Sequence, residues 1–149
     1  MITIKRTTSD DKDFQELVKF LDLELQERDG EEHFFYATLN KTNTLNYVIV
    51  GYDQDQPIGC VALRAFSEDT MEVKRMFVPL HKRGKGIAST ILKELEMWCK
   101  ELGIKKCVLE TGKNQPEAIA LYKKNRYNII PNFGKYEDVE NSLCFEKKL

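Results

Sequence analysis

The chain has 149 residues, which suits a single hydrophobic core and is short for two ordinary domains. Its 23 lysines and arginines balance 24 aspartates and glutamates, for a net charge of −1, so it lacks the basic excess that bulk nucleic-acid binding requires. No apolar run approaches the length that crosses a bilayer, and the start, MITIKRTTSDD, has no signal-peptide core, so a cytoplasmic protein acting without a membrane is expected.

Residues 2–6 (ITIKR) alternate like a short strand. Ser9 or Asp10 can cap a helix in which Phe14, Leu17, Val18, Leu21 and Leu25 share one face, and such a face packs on a sheet. The next stretch is acidic: Asp22, Glu24, Glu27, Asp29, Glu31 and Glu32 stand against Arg28 alone. It is either solvated surface or a negative rim that draws in a cationic amine. Gly30 breaks the helix, and Phe34, Phe35 and Tyr36 in the following loop suit core or site lining.

Residues 46–52 (NYVIVGY) and 57–66 (PIGCVALRAF) read as antiparallel strands around a polar turn at 53–56. A second turn leads into a strand at 72–78 (EVKRMFV), which Pro79 ends because it has no amide for a ladder. Then comes HKRGKGIA, followed by Ile87, Ile91, Leu95, Trp98 and Leu102 at helical spacing and Gly103 as the stop. Gly84 and Gly86 have no Cβ, so an anion can approach the main chain where the first helix amides point outward, and Lys82, Arg83 and Lys85 add charge. The alternatives are a pyrophosphate site and a structural turn. A Walker loop is excluded because Ile87 and Ala88 follow Gly86. A dinucleotide fingerprint fits poorly: residues 79–83 separate strand from glycine, and Ser89 takes the third glycine position.

Residues 105–111 (KKCVLET) form the next predicted strand, Pro116 opens a helix carrying Ala118, Leu121 and Tyr122, and residues 128–149 hold a loop and a closing strand. Cys60, Cys99, Cys107 and Cys144 are scattered without a short pairing and read as small buried apolar residues. With His33 and His81 the only histidines, no metal site is expected.

The run Arg83, Gly84, Lys85, Gly86, Ile87, Ala88 resembles the Arg/Gln-x-x-Gly-x-Gly/Ala motif of the GCN5-related N-acetyltransferases, the GNAT superfamily. The likeness extends to GCVAL at 59–63 and to CVLETGKNQPEAIALYKKNRY at 107–127, and covers residues 45–148. Gln115 replaces a frequent Asn, and Arg126-Tyr127 replaces Gly-Phe. The resemblance implies one α/β (α+β) domain over residues 1–149, with a mixed, mostly antiparallel sheet, a splayed central strand pair and helices on both faces. It also implies direct transfer of the acetyl group of acetyl-CoA to a primary amine, with no metal and no covalent enzyme intermediate.

By the same resemblance, the main chain of Met76, Phe77 and Val78 holds the pantetheine arm. Arg83 to Ala88 hold the pyrophosphate, Gln115 lies at the cofactor, and Tyr122 contacts it and protonates the leaving thiolate. An alkyl amine has a pKa near 10, so only about one molecule in a thousand is a free nucleophile at neutral pH and a base is needed. Glu72 and Glu110 are the candidates, and either could instead be a strand-end carboxylate. The acceptor, a small molecule or a peptide, is unspecified, and both a monomer and a homodimer joined through the last strand are open. A non-catalytic acetyl-CoA-binding regulatory module is the competing function.

Overall fold

The computed structural model describes residues 2–29 and 45–149, so Gly30, Glu31, Glu32, His33, Phe34, Phe35 and Tyr36 lie outside the described residues. Four strands form an antiparallel meander: β1 (Ile2–Thr7), β2 (Tyr47–Asp53), β3 (Gln56–Ser67) and β4 (Thr70–Phe77). Gln54 and Asp55 turn the β2–β3 hairpin with φ of 50° and 66°, the left-handed pair that suits a two-residue connection between twisted strands. β5 (Lys106–Gly112) continues the sheet beside β4, and the order closes β5-β7-β6, with β6 at Asn128–Ile130 and β7 at Ser142–Lys148. The expected closing strand is thus flanked on its outer side by a three-residue strand that the sequence pattern does not announce.

Two features open the middle of the sheet. Among the described residues β4 and β5 are the only parallel pair, and they bond over Thr70–Glu72 against Lys106–Val108 before they part. Just beyond, β4 carries one residue more than β3: Ala62 faces Lys74, yet Cys60 faces Phe77. This bulge puts Arg75 at φ 57°, a conformation that costs a side-chain-bearing residue energy, and two contacts hold it. The Arg75 guanidinium donates to Asp22 at 2.8 Å, and the Cys60 thiol donates to the Arg75 carbonyl at 3.4 Å.

Alternation along β2 distributes the core. Val48 and Val50 meet Phe14, Leu17 and Leu21 of α1 (Lys12–Asp29) on one face, while Ile49 meets Ile91 and Leu95 of α2 (Ile87–Glu101) on the other. Helices therefore cover both faces, with α3 (Pro116–Lys124) on the α2 side. The cap of α1 is Asp11, one or two residues later than expected: its Oδ1 accepts from the Phe14 amide at 3.0 Å, whereas Ser9 Oγ accepts from the Leu45 amide at 2.9 Å. Arg126, standing where a glycine would end α3, takes the left-handed conformation anyway, with φ 70°. All four cysteines are buried, and Cys99 and Cys107 lie with their sulfurs 3.7 Å apart between α2 and β5. Among the described residues no helix is long and apolar enough to cross a membrane.

Candidate active site

A cleft of about 500 Å³ lies where β4 and β5 part. One end is the turn between β4 and α2. Gly84 and Gly86 sit at φ 82° and 78°, and a Cβ at either would meet nothing within 4 Å, so it is the backbone conformation that calls for glycine. Gly86 caps α2 without a side chain, so no side-chain acceptor occupies the first amides of the helix, where an anion is favoured.

Most of the expected binding residues gather around this space. Met76, Phe77 and Val78 form the β4 wall, and Arg83, Gly84 and Gly86 form the turn. Ile87 and Ala88 open α2, and Gln115, just before α3, and Tyr122 within it line the same cleft. Lys85 is exposed and not among the lining residues, whereas Lys82 is. The acidic stretch differs from a uniform negative rim: Asp22 is paired with Arg75, and Glu24 with Arg83 at 2.7 Å.

The three expected catalytic side chains occupy unequal positions. Tyr122 is buried to 6% exposure, with its ring edge-on to Tyr127 at 5.6 Å. Burial, and then the charge of Glu110, push its hydroxyl far above the ordinary tyrosine range, so it stays protonated at every physiological pH. Glu110 lines the cleft, and Ser142 Oγ donates to its Oε2 at 2.6 Å. Glu72 does not line the cleft. It is buried behind Lys74 and Tyr136: Lys74 Nζ donates to Tyr136 Oη at 3.0 Å, and that hydroxyl donates to Glu72 Oε2 at 3.3 Å. Among the described residues no group of three or more His, Cys, Asp or Glu could hold a metal.

The sequence model of the acetyltransferase (GNAT) family matches residues 11–126. The chain belongs to the GNAT family. A stretch of 93 residues is 38% identical to an IAA acetyltransferase of Azospirillum brasilense, covering 62% of this chain and 61% of that protein, less than two thirds of its length. Among solved structures, a Klebsiella pneumoniae protein assigned to the acyl-CoA N-acyltransferases superposes with a TM-score of 0.83 at 27% identity, covering 100% of this chain and 98% of that one. A GNAT family acetyltransferase from Elizabethkingia anophelis, solved with acetyl-CoA bound, reaches 0.70 at 20% identity over 99% and 98% of the two chains and shares the fold.

Within this GNAT chain, sequence reasoning missed Lys74, Tyr136 and Ser142. Lys74 left a signal, since it stands two residues after Glu72 on one strand and so shares its face. Tyr136 and Ser142 arrive from the far side of the sheet through β7 and the short turn before it, so only tertiary structure brings them in.

Proposed function

We propose that residues 1–149 form one cytoplasmic N-acetyltransferase domain that moves the acetyl group of acetyl-CoA to a primary amine on a small molecule or peptide. The observation that carries this is the opening between β4 and β5, which runs from the glycine turn to Glu110 and passes Tyr122 on the way. The amides of the turn and of the first turn of α2 suit the pyrophosphate, and the unpaired edge of β4 at Met76–Val78 suits the amide-bearing pantetheine arm. GNAT relatives solved with acetyl-CoA or coenzyme A support the same co-substrate here.

In this reading the amine nitrogen attacks the thioester carbon, its proton passes to Glu110, the carbon–sulfur bond breaks, and Tyr122 protonates the thiolate. Ser142 fixes the orientation of Glu110 through their 2.6 Å hydrogen bond. Holding amine and thioester in contact supplies much of the acceleration. The pairing of Asp22 and Glu24 with arginines favours an acceptor with one amine over a polycation. Neither metal, membrane nor nucleic acid has a part in this scheme, and monomer and homodimer are equally compatible with it.

Thiol release from acetyl-CoA with a panel of amines tests the proposal. Amine-dependent release that disappears in Glu110→Gln is expected. Coenzyme A binding with no release for any amine would leave the non-catalytic module in its place.

A further inference from the structure

The two strands that frame the cleft are in parallel register, with Thr70 opposite Lys106 and Glu72 opposite Val108. Two residues further along each strand come Lys74 and Glu110, on the face that Glu72 occupies. Val73 and Leu109 come first past the paired stretch and Lys74 and Glu110 next, so an ammonium and a carboxylate stand on the two strands that frame the opening; both line the cleft, and Lys74 feels the charge of Glu110. Lys74 is only 5% exposed, and its Nζ lies 3.6 Å from Glu72 Oε2 and 3.0 Å from Tyr136 Oη. One buried cation therefore serves two carboxylates, of which only Glu110 borders the cleft.

We infer that Lys74 is a positioning residue for acetyl transfer: its ammonium, held by Glu72 and Tyr136 and near Glu110 at the opening, keeps Glu110 ionised as proton acceptor and disfavours the protonated acceptor amine. This rests on the acetyl-transfer reading above. A half-buried carboxylate near a second one is easier to ionise when a cation stands by it, and a cation beside the incoming amine makes its ammonium form less favourable. Both effects promote the reactive pair, a carboxylate and a free amine. Glu72 is then the counterion that retains a buried lysine, with Tyr136 fixing the distance between them. Burial holds the lysine below its ordinary value, and the charges of Glu72 and Glu110 offset only part of that.

Other charged and titratable groups also stand near Lys74 and Glu110. Arg75 on its own strand is tied to Asp22 of α1, and Arg64 stands opposite Glu72 on β3. The Cys144 thiol of β7 and the Tyr122 hydroxyl of α3 face Glu110, and burial raises both.

The test is the pH profile of kcat at saturating acetyl-CoA and amine, measured on the full chain. Lys74→Met should move the acid limb upward by about one pH unit or more, and Lys74→Arg should leave it near the wild-type position. Glu72→Gln, which removes a negative charge from the same cluster, should move the limb downward, and the double variant Lys74→Met/Glu72→Gln should return it towards wild type. Coenzyme A affinity by calorimetry should stay unchanged throughout. A merely structural lysine would lower activity without moving the limb in opposite directions. An unmoved limb in Lys74→Met, or shifts of the same sign in both single variants, overturns the inference. If Lys74→Met does not fold, Glu72→Gln decides, and an unmoved or upward limb there overturns it. Glu110→Gln separates the two levels. Loss of turnover in Glu110→Gln with an unmoved Lys74→Met limb removes only the role of Lys74, whereas full turnover in Glu110→Gln removes the base assignment and the role of Lys74 with it.

Discussion

Arg83, the first residue of the phosphate-turn motif, donates from Nη2 to both carboxylate oxygens of Glu24, at 2.7 and 2.8 Å, while its Nε donates to the Val78 carbonyl at 2.8 Å. The guanidinium thus joins three parts of the chain: α1, the end of β4, and the turn that leads into α2. It also means that the arginine expected to meet pyrophosphate already has an anionic partner. A phosphorylated ligand entering the turn competes with Glu24, and α1 is coupled to that competition.

Glu24→Ala should therefore tighten coenzyme A binding. Each side chain of the pair is 23% exposed, so the pair is partly screened and contributes no more than about 1 kcal/mol, which limits the gain to roughly fivefold. Calorimetric titration of wild type and variant measures it. Weaker binding in the variant would mean instead that Glu24 holds the arginine in its binding position.

Tyr122→Phe removes the hydroxyl and keeps the ring that packs on Tyr127 and Phe145. Loss of a general acid should lower kcat by about 10²-fold or more, with little change in coenzyme A affinity. Stopped-assay turnover beside a binding titration separates the two quantities, and undiminished turnover would return Tyr122 to a packing role.

How much of this was legible beforehand depended on the range of the interaction. The strands and α2 show in the sequence because alternation and three-to-four spacing are local, and the glycine turn shows because positive φ restricts the residue type. The opening of the sheet does not show, because it depends on where β5 stops pairing with β4 and on one extra residue at Arg75. The placement of Lys74 and Glu110 on the two strands that frame the cleft follows from that register and stays hidden without it. Glu24 and Arg83 are 59 residues apart, so an acidic stretch that looks uniform in sequence is divided between arginines in space. The cap of α1 falls on Asp11 and not on Ser9 or Asp10, since all three offer a suitable oxygen and only the fold chooses among them.

Two glycines should respond to alanine in different ways. A Cβ at Gly59 would stand 2.7 Å from Ile91 Cδ1 and 3.2 Å from the Phe77 carbonyl, and Ile91 is fully buried with little room to move. Gly59→Ala should cost about 1–3 kcal/mol through overpacking and lower Tm. At Gly86 there is space but φ is 78°, so Gly86→Ala costs about 1–2 kcal/mol of backbone strain, concentrated in the turn. Its larger effect should be on coenzyme A affinity. Thermal melts with and without coenzyme A check both, and equal loss of ligand stabilisation in the two variants would contradict this division.

Asp11 gives stability a specific pH dependence. Burial raises its carboxyl, but the hydrogen bond from Lys5 and the Phe14 amide outweigh that and hold it below its usual 3.8. A depressed carboxylate contributes stability that is fully present above the unfolded-state value and is lost as pH falls through the folded-state value. Asp11→Asn keeps an oxygen for the Phe14 amide and loses the ion pair with Lys5, whose Nζ lies 2.6 Å away. Its deficit relative to wild type should be present at neutral pH and close below about pH 4, as wild-type Asp11 takes up a proton. Asp11→Ala loses the cap as well, at a cost of about 1 kcal/mol, and should keep part of its deficit in acid, because a protonated carboxyl still offers its carbonyl oxygen to the amide. Urea unfolding of the three proteins across this range measures the effect, and a constant gap between wild type and Asp11→Asn down to the lowest pH would rule out the charge of Asp11 as its source.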